Sequence, residues 1–357
     1  MEFILEYGLF LAKIATVVVV VVVAVVAILL VVKGIKGHGG SQKGELEVTD
    51  LTEQYKETVS QLEEHLFDKS LLKARDKAEK KADKEQEKAR QNEVKKAAKE
   101  GELDFSRDSR LFVIDFKGSI DAREVSALRQ EVTAILAVAQ EGDEVLLRLE
   151  TGGGMVHGYG LASSQLDRLK TAGLKLTISV DKVAASGGYM MACVADKIIS
   201  APFAIVGSIG VIAQIPNFNK VLKKNDIEFE QITAGEFKRT LTMFGENTDK
   251  AREKFKLEIE ETHGLFKDFI ANHRPELDLN KVATGEHWFG QQAFELGLVD
   301  AIGTSDDFIT AACKERKVLG VKYVQRKKLA EKLAGATAEA TDSLLLKWVG
   351  RGQRPFM

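Results

Sequence analysis

Cysteine is nearly absent: the 357 residues hold only Cys193 and Cys313, far apart and without metal-ligand spacing. That excludes a disulfide framework and a cysteine-based zinc site, and Cys193, inside an apolar run, reads as a small buried side chain. A surplus of one charge is missing as well. The 51 basic and 53 acidic residues give a net charge of -2, so the chain has no overall pull toward nucleic acid. Phosphate-binding signatures are also lacking. The glycine-rich stretch "TGGGMVHGYG" has neither the Gly-Lys-Ser or Gly-Lys-Thr ending of a P-loop nor the spacing of the dinucleotide fingerprint.

A long uncharged run is present. Ile14 to Val32, dominated by valine, holds about 19 residues and spans roughly 28 Å at helical rise, enough to cross a bilayer. Glu2 and Glu6 precede it and Lys33 and Lys36 follow, which is the reverse of a cleavable signal peptide, so residues 1–33 read as a retained anchor in contact with membrane lipid. Lys33, Lys36 and Lys43 lie after the span, against Glu2, Glu6 and Lys13 before it. The positive-inside rule then favours a cytosolic body.

Residues 34–105 read as a connecting region. "KGIKGHGGSQKG" is glycine-rich and flexible. Asp50 and Glu53 have capping-box spacing, and Leu51, Tyr55, Val59, Leu62 and Leu66 recur at helical intervals, predicting an amphipathic helix from Asp50 to about Phe67. Lys69 to Glu100 is a Lys/Glu-rich spacer without proline, glycine or aromatic residues; it reads as a solvated helix or disordered spacer, with no stacking platform for nucleic acid. Residues 106–317 change character. "RLFVIDFKG", "EVLLRLE", "LKLTISV" and "DKIIS" read as strands, with a helix between Ala122 and Gln140, which predicts one α/β domain with largely parallel pairing. Residues 318–357 form a basic, amphipathic extension.

Two glycine-flanked turns carry the candidate chemistry. Gly152, Gly153 and Gly154 follow the second strand and let backbone amides approach a ligand. Ser186, in "VAASGGYMMACVADKII", follows the next strand, before Gly187 and Gly188. At a helix N-terminus free amides favour developing negative charge, yet an ordinary serine N-cap reads equally well there. A nucleophilic serine needs a base. None of the six histidines announces a triad, including His157 behind the glycine turn. A lysine serves instead when burial lowers its pKa from about 10.4 toward neutrality, about 4 kcal/mol for three units. Lys238, in "TAGEFKRTLTMFGENT", follows an expected strand, "IEFEQI", among Phe237, Leu241, Met243 and Phe244, a setting that suggests burial.

"DKVAASGGYMMACVADKI", with the glycine turn before it and "GEFKRTLT" after it, resembles the S49 peptidase family, the signal peptide peptidase A group; "APFAIVGSIGV" and "ATGEHWFGQQA" extend the resemblance over nearly the whole chain. The resemblance implies a ClpP/crotonase-like fold of β-β-α units in a spiral. It implies a serine endopeptidase, with Ser186 as nucleophile, Lys238 as general base, the amides of Gly154 and Gly187 as oxyanion hole, and no metal or cofactor. It also implies a homo-oligomer, in which neighbouring subunits help complete each site, acting on membrane-derived or unfolded peptides at a bacterial inner membrane. The family's signal-peptide peptidases work outside the cytosol, against the charge bias above. One departure stands out: the family turn usually reads Ser-Pro-Gly-Gly, whereas this chain has Thr151 and Gly152 in the first two places, which removes a fixed φ. A tethered scaffold of the same fold that cleaves nothing is the alternative, and acyl-CoA chemistry ranks third because it would leave the serine and lysine unexplained.

Overall fold

The strand Arg110–Lys117 (β2) buries Leu111, Phe112, Val113 and Ile114 in succession, so both of its faces are covered. Such a run belongs in the middle of a parallel sheet with a layer on each side. In the computed structural model it lies there. The structure describes residues 44–68, 70–75 and 108–325, with scattered residues between 77 and 92. The apolar run Ile14–Val32 and the residues after 325 lie outside the described residues, and no described helix is long and apolar enough to cross a membrane.

The strands in chain order are β1 (Glu45–Asp50), β2, β3 (Glu144–Glu150), β4 (Lys175–Val180), β5 (Val183–Ala185), β6 (Lys197–Ser200), β7 (Ile205–Gly207), β8 (His287–Phe289), β9 (Ala301–Ile302) and β10 (Lys317–Val324). The main helices are α1 (Leu51–Leu66), α2 (Val125–Val138), α3 (Val156–Thr171), α4 (Gly187–Ala192), α5 (Asn219–Lys224), α6 (Asp249–His273), α7 (Leu279–Val282), α8 (Gly290–Glu295) and α9 (Ser305–Glu315). Seven strands form one sheet in the order β1-β10-β2-β3-β4-β6-β9, with parallel registers from β10 through β9. A second sheet of three, β5-β7-β8, is joined to it where Thr151, just past β3, bridges Ala184. An α/β fold with mainly parallel pairing was legible in the sequence, and this is the architecture found.

Side-chain alternation sorts the core into two layers. Phe112, Ile114 and Phe116 point into the larger one, with Leu128 and Val132 of α2 and Leu166 of α3. Leu111, Val113 and Leu146 point the other way, against α9 and against Leu51 and Tyr55 of α1. The predicted amphipathic helix therefore exists, capped where Asp50 accepts from the Glu53 N–H at 3.1 Å, and its first turns pack on the chain's own sheet. Its far end does not: Leu62 and Leu66 stay exposed. The described spacer residues between 70 and 92 are helical and, apart from the half-buried Leu72, exposed. β10 carries the sheet past Lys317, and its start is tied to α1 by the Val318 N–H bond to Thr52 Oγ1.

Two expectations need correction. "IEFEQI" forms no strand; residues 227–233 lack regular structure and are exposed, because no sheet edge receives them. The helix expected from Ala122 starts at Val125, since Ala122 itself has φ 51 and cannot continue a right-handed helix.

Candidate active site

β5 ends at Ala185 and α4 begins at Gly187, so the chain changes from strand to helix across a single residue, Ser186. The geometry requires φ 53 and ψ -117 there, a conformation that costs an L-residue on the order of 1–3 kcal/mol. Neighbours hold it: the Ser186 N–H donates to Gly207 O at 2.8 Å, and its carbonyl accepts from Met190 N–H at 3.0 Å. The side chain makes no capping bond. The reading of Ser186 as an ordinary N-cap is thereby set aside.

The glycine turn is pressed against this residue. Thr151 pairs with β5 through Thr151 N–H to Val183 O (2.9 Å) and Ala185 N–H to Thr151 O (3.1 Å). Gly153 has φ 83, and a Cβ on it would stand 2.6 Å from both Ala185 O and Gly187 N. At Gly154 a Cβ would fall 2.0 Å from Ile120 O. Both glycines are therefore required by close backbone approach. Gly154, Ser186 and Gly187 consequently line one small cavity of about 80 Å³, with Val156, Met190 and Phe266 among its apolar walls. Among the described residues neither the Gly154 nor the Gly187 amide has a hydrogen-bond partner. Two free N–H groups beside a hydroxyl are what a developing oxyanion needs.

Lys238 is elsewhere. It is exposed, in the irregular segment between α5 and α6, and lines a separate cavity of about 860 Å³ with Ile215, Phe229, Ile232 and Met243. The burial suggested by its apolar neighbours is not met within one copy, because Phe237, Met243 and Phe244 are themselves about two-fifths exposed, at 43%, 42% and 41%. The structure thus brings three of the four predicted site residues together and leaves the lysine apart. Among the described residues no histidine lines the Ser186 cavity: His157 is exposed on α3, and His263 shares its Nε2 with Ile209 O at 3.2 Å. Among the described residues no His/Cys/Asp/Glu group could hold a metal ion. Cys193 is fully buried, and burial pushes its thiol up to about 12, which makes it inert.

Sequence reasoning missed three residues at this site. Gly207 holds the Ser186 amide, and Thr151 and Tyr159 lie beneath both turns. A tyrosine eight residues after a threonine reads as a core aromatic, and only the fold brings their hydroxyls into contact.

Models of two families match the chain: "Peptidase family S49 N-terminal" over residues 2–166 and "Peptidase family S49" over residues 168–319. The chain is 52% identical to "Probable protease SohB" of Haemophilus influenzae over 98% of each chain. It is 49% identical to the protein of the same name from Buchnera aphidicola subsp. Schlechtendalia chinensis, over 87% of this chain and 99% of that one. A more distant likeness, 25% identity over 68% of this chain and 42% of the other, is to "Protease 4" of Haemophilus influenzae. The strained serine beside two unengaged amides and these matches agree: the chain belongs to peptidase family S49.

Proposed function

We propose that this peptidase is a serine endopeptidase working through an acyl-enzyme, with Ser186 as nucleophile and Lys238 as general base, on a ClpP/crotonase-type spiral fold. The observation that carries the reading is Ser186 itself: a non-glycine residue held at φ 53, its hydroxyl free of any capping bond, in one cavity with the Gly154 and Gly187 amides. Strain of that kind persists where the surroundings impose it for a purpose. A tethered scaffold that cleaves nothing would leave it without a use.

In the proposed reaction Ser186 Oγ attacks the peptide carbonyl as its proton passes to the Lys238 amine. The carbonyl oxygen becomes an alkoxide that accepts from the Gly154 and Gly187 N–H groups; losing one such donor in a serine protease costs roughly 3–4 kcal/mol. The intermediate collapses, the C–N bond breaks and the amine leaves with the lysine's proton. Water then gives a proton to the lysine, attacks the ester and frees the acid and the serine hydroxyl.

Because Lys238 and Ser186 line separate cavities in one copy, the proposal assigns the base to a neighbouring subunit of a homo-oligomer. The exposed apolar groups Ile212, Ile215, Ile232 and Phe237 along the segment that carries it support such a contact, and docking would desolvate a lysine there. The narrow apolar cavity supports small apolar side chains at the cut site. Substrates are proposed to be membrane-derived or unfolded peptides, and the run Ile14–Val32 supports a single-pass anchor in a bacterial inner membrane. A reporter fused to the C-terminus decides on which side the body lies.

The test is cleavage of an unfolded protein by wild type, Ser186→Ala and Lys238→Ala, read by mass spectrometry of the products. Cleavage by wild type alone is expected, with activity returning when the two inactive variants are mixed and reassembled. Equal cleavage by all three contradicts the dyad.

A further inference from the structure

The two turns that carry the amides and the nucleophile are separate in sequence, and something must fix one against the other. Thr151 and Tyr159 occupy the place where they meet. Tyr159 is fully buried on α3, and its ring lies so close beneath α4 that a Cβ on Gly187 would fall 2.4 Å from Tyr159 Cγ. Thr151 is 3% exposed, and a Cβ on Gly188 would fall 2.8 Å from Thr151 Cγ2. Phe116 packs edge-on against the tyrosine ring, with centroids 6.4 Å apart.

The polar atoms form a connected chain. Gly153 N–H donates to Thr151 Oγ1 at 3.1 Å. Thr151 Oγ1 and Tyr159 Oη are 2.5 Å apart, and Tyr159 O–H donates to Ser119 O at 2.8 Å. Thr151 Oγ1 also lies 3.2 Å from Gly118 O, a second acceptor for its hydroxyl, so the proton between Thr151 and Tyr159 has two self-consistent placements; in both, a Thr151 lone pair accepts from the Gly153 N–H. Burial raises the Tyr159 pKa above its ordinary 10, so the phenol remains a donor at any working pH. The relay therefore ends on the amide of the residue immediately before Gly154.

Resting on the serine-peptidase reading above, we infer that Tyr159, acting through Thr151, is a positioning residue that fixes the oxyanion turn against Ser186. This chain has Gly152 where the family resemblance leads one to expect proline. Gly152 leaves the turn's φ unrestrained; the Gly153 bond to an anchored hydroxyl restrains it from the next residue. A positioning error at an oxyanion donor acts on the transition state, where the charge is, and leaves substrate binding alone.

The experiment compares wild type, Tyr159→Phe, Thr151→Ser, Thr151→Val and the Tyr159→Phe/Thr151→Val double variant, all in the full chain. Steady-state kinetics use a peptide whose cleavage by wild type disappears in Ser186→Ala. Tyr159→Phe should lower kcat about tenfold with KM unchanged, and should weaken inhibition by a peptide aldehyde, which forms a tetrahedral adduct, by a similar factor. Thr151→Ser keeps the hydroxyl and should retain most activity, Thr151→Val should match Tyr159→Phe, and the double variant should lose no more than either single one because they break the same chain. A kcat within twofold of wild type in Tyr159→Phe, equal losses in Thr151→Ser and Thr151→Val, or multiplying losses in the double variant would each overturn the inference. Should Tyr159→Phe not fold, the Thr151→Ser and Thr151→Val pair decides alone. Absence of any Ser186-dependent turnover in wild type is a different failure, that of the peptidase reading.

Discussion

Replacing Glu131 with glutamine should remove a pH dependence from the stability of this domain. Glu131 sits on α2 at 4% exposure, beside a cavity of about 560 Å³ at the carboxyl ends of β2 and β3, and its Oε1 accepts from the Tyr323 N–H at 2.8 Å. Burial pushes its carboxyl from 4.5 up to about 7; the Tyr323 bond and Lys322 pull it down, and Asp115 pushes it further up. The folded state therefore holds a proton that the unfolded chain releases near 4.5. The resulting stabilisation is fully present below pH 4.5 and is lost as pH rises through about 7. A gap of about 2.5 units at 1.36 kcal/mol per unit is worth about 3 kcal/mol. Glutamine keeps the acceptor for Tyr323 and cannot ionise. Urea unfolding of both proteins between pH 5 and pH 8 should show Glu131→Gln close to wild type at pH 5 and more stable by about 3 kcal/mol at pH 8. A difference that stays constant across that range would refute the reasoning.

Three further outcomes follow from named contacts. Ser186→Gly relieves the φ 53 strain and should stabilise the fold by about 1 kcal/mol while abolishing cleavage, seen as a rise in Tm in an inactive protein; a lower Tm would contradict the strain. Met190→Ala enlarges the 80 Å³ cavity beside Ser186 and should shift cut sites toward larger apolar residues, read by sequencing the products; an unchanged cut-site profile would remove Met190 from the specificity wall. Arg274 pairs bidentately with Asp300 at 2.7 and 2.9 Å and also donates to Gly297 O at 3.2 Å, tying the end of α6 to the strand region around β9. Arg274→Ala should cost about 2 kcal/mol, visible in the unfolding midpoint.

The strands were legible where burial on both faces forces a continuous apolar run. "EVLLRLE" spells out β3 residue for residue, and α1 announced itself through Asp50 and its spaced leucines. "IEFEQI" carries a similar local pattern, and it failed because pairing needs a partner edge that only the fold could deny. The site divides in the same manner. Glycines beside a serine are visible in one dimension, whereas the φ of Ser186, its bond to Gly207 and the hydroxyl chain from Gly153 to Ser119 arise from segments 20 to 40 residues apart. Lys238 was legible as a residue type and its surroundings were not: the apolar groups around it lie on an exposed segment with no core beneath.

The most direct test of the account is covalent. The full-length protein, treated with a serine-directed fluorophosphonate and digested, is read by tandem mass spectrometry beside Ser186→Ala and Lys238→Ala. A single adduct on Ser186 in the wild type, absent from the first variant and strongly reduced in the second, is the predicted result. An adduct on another residue, or equal labelling of Lys238→Ala, would contradict the assignment of nucleophile and base.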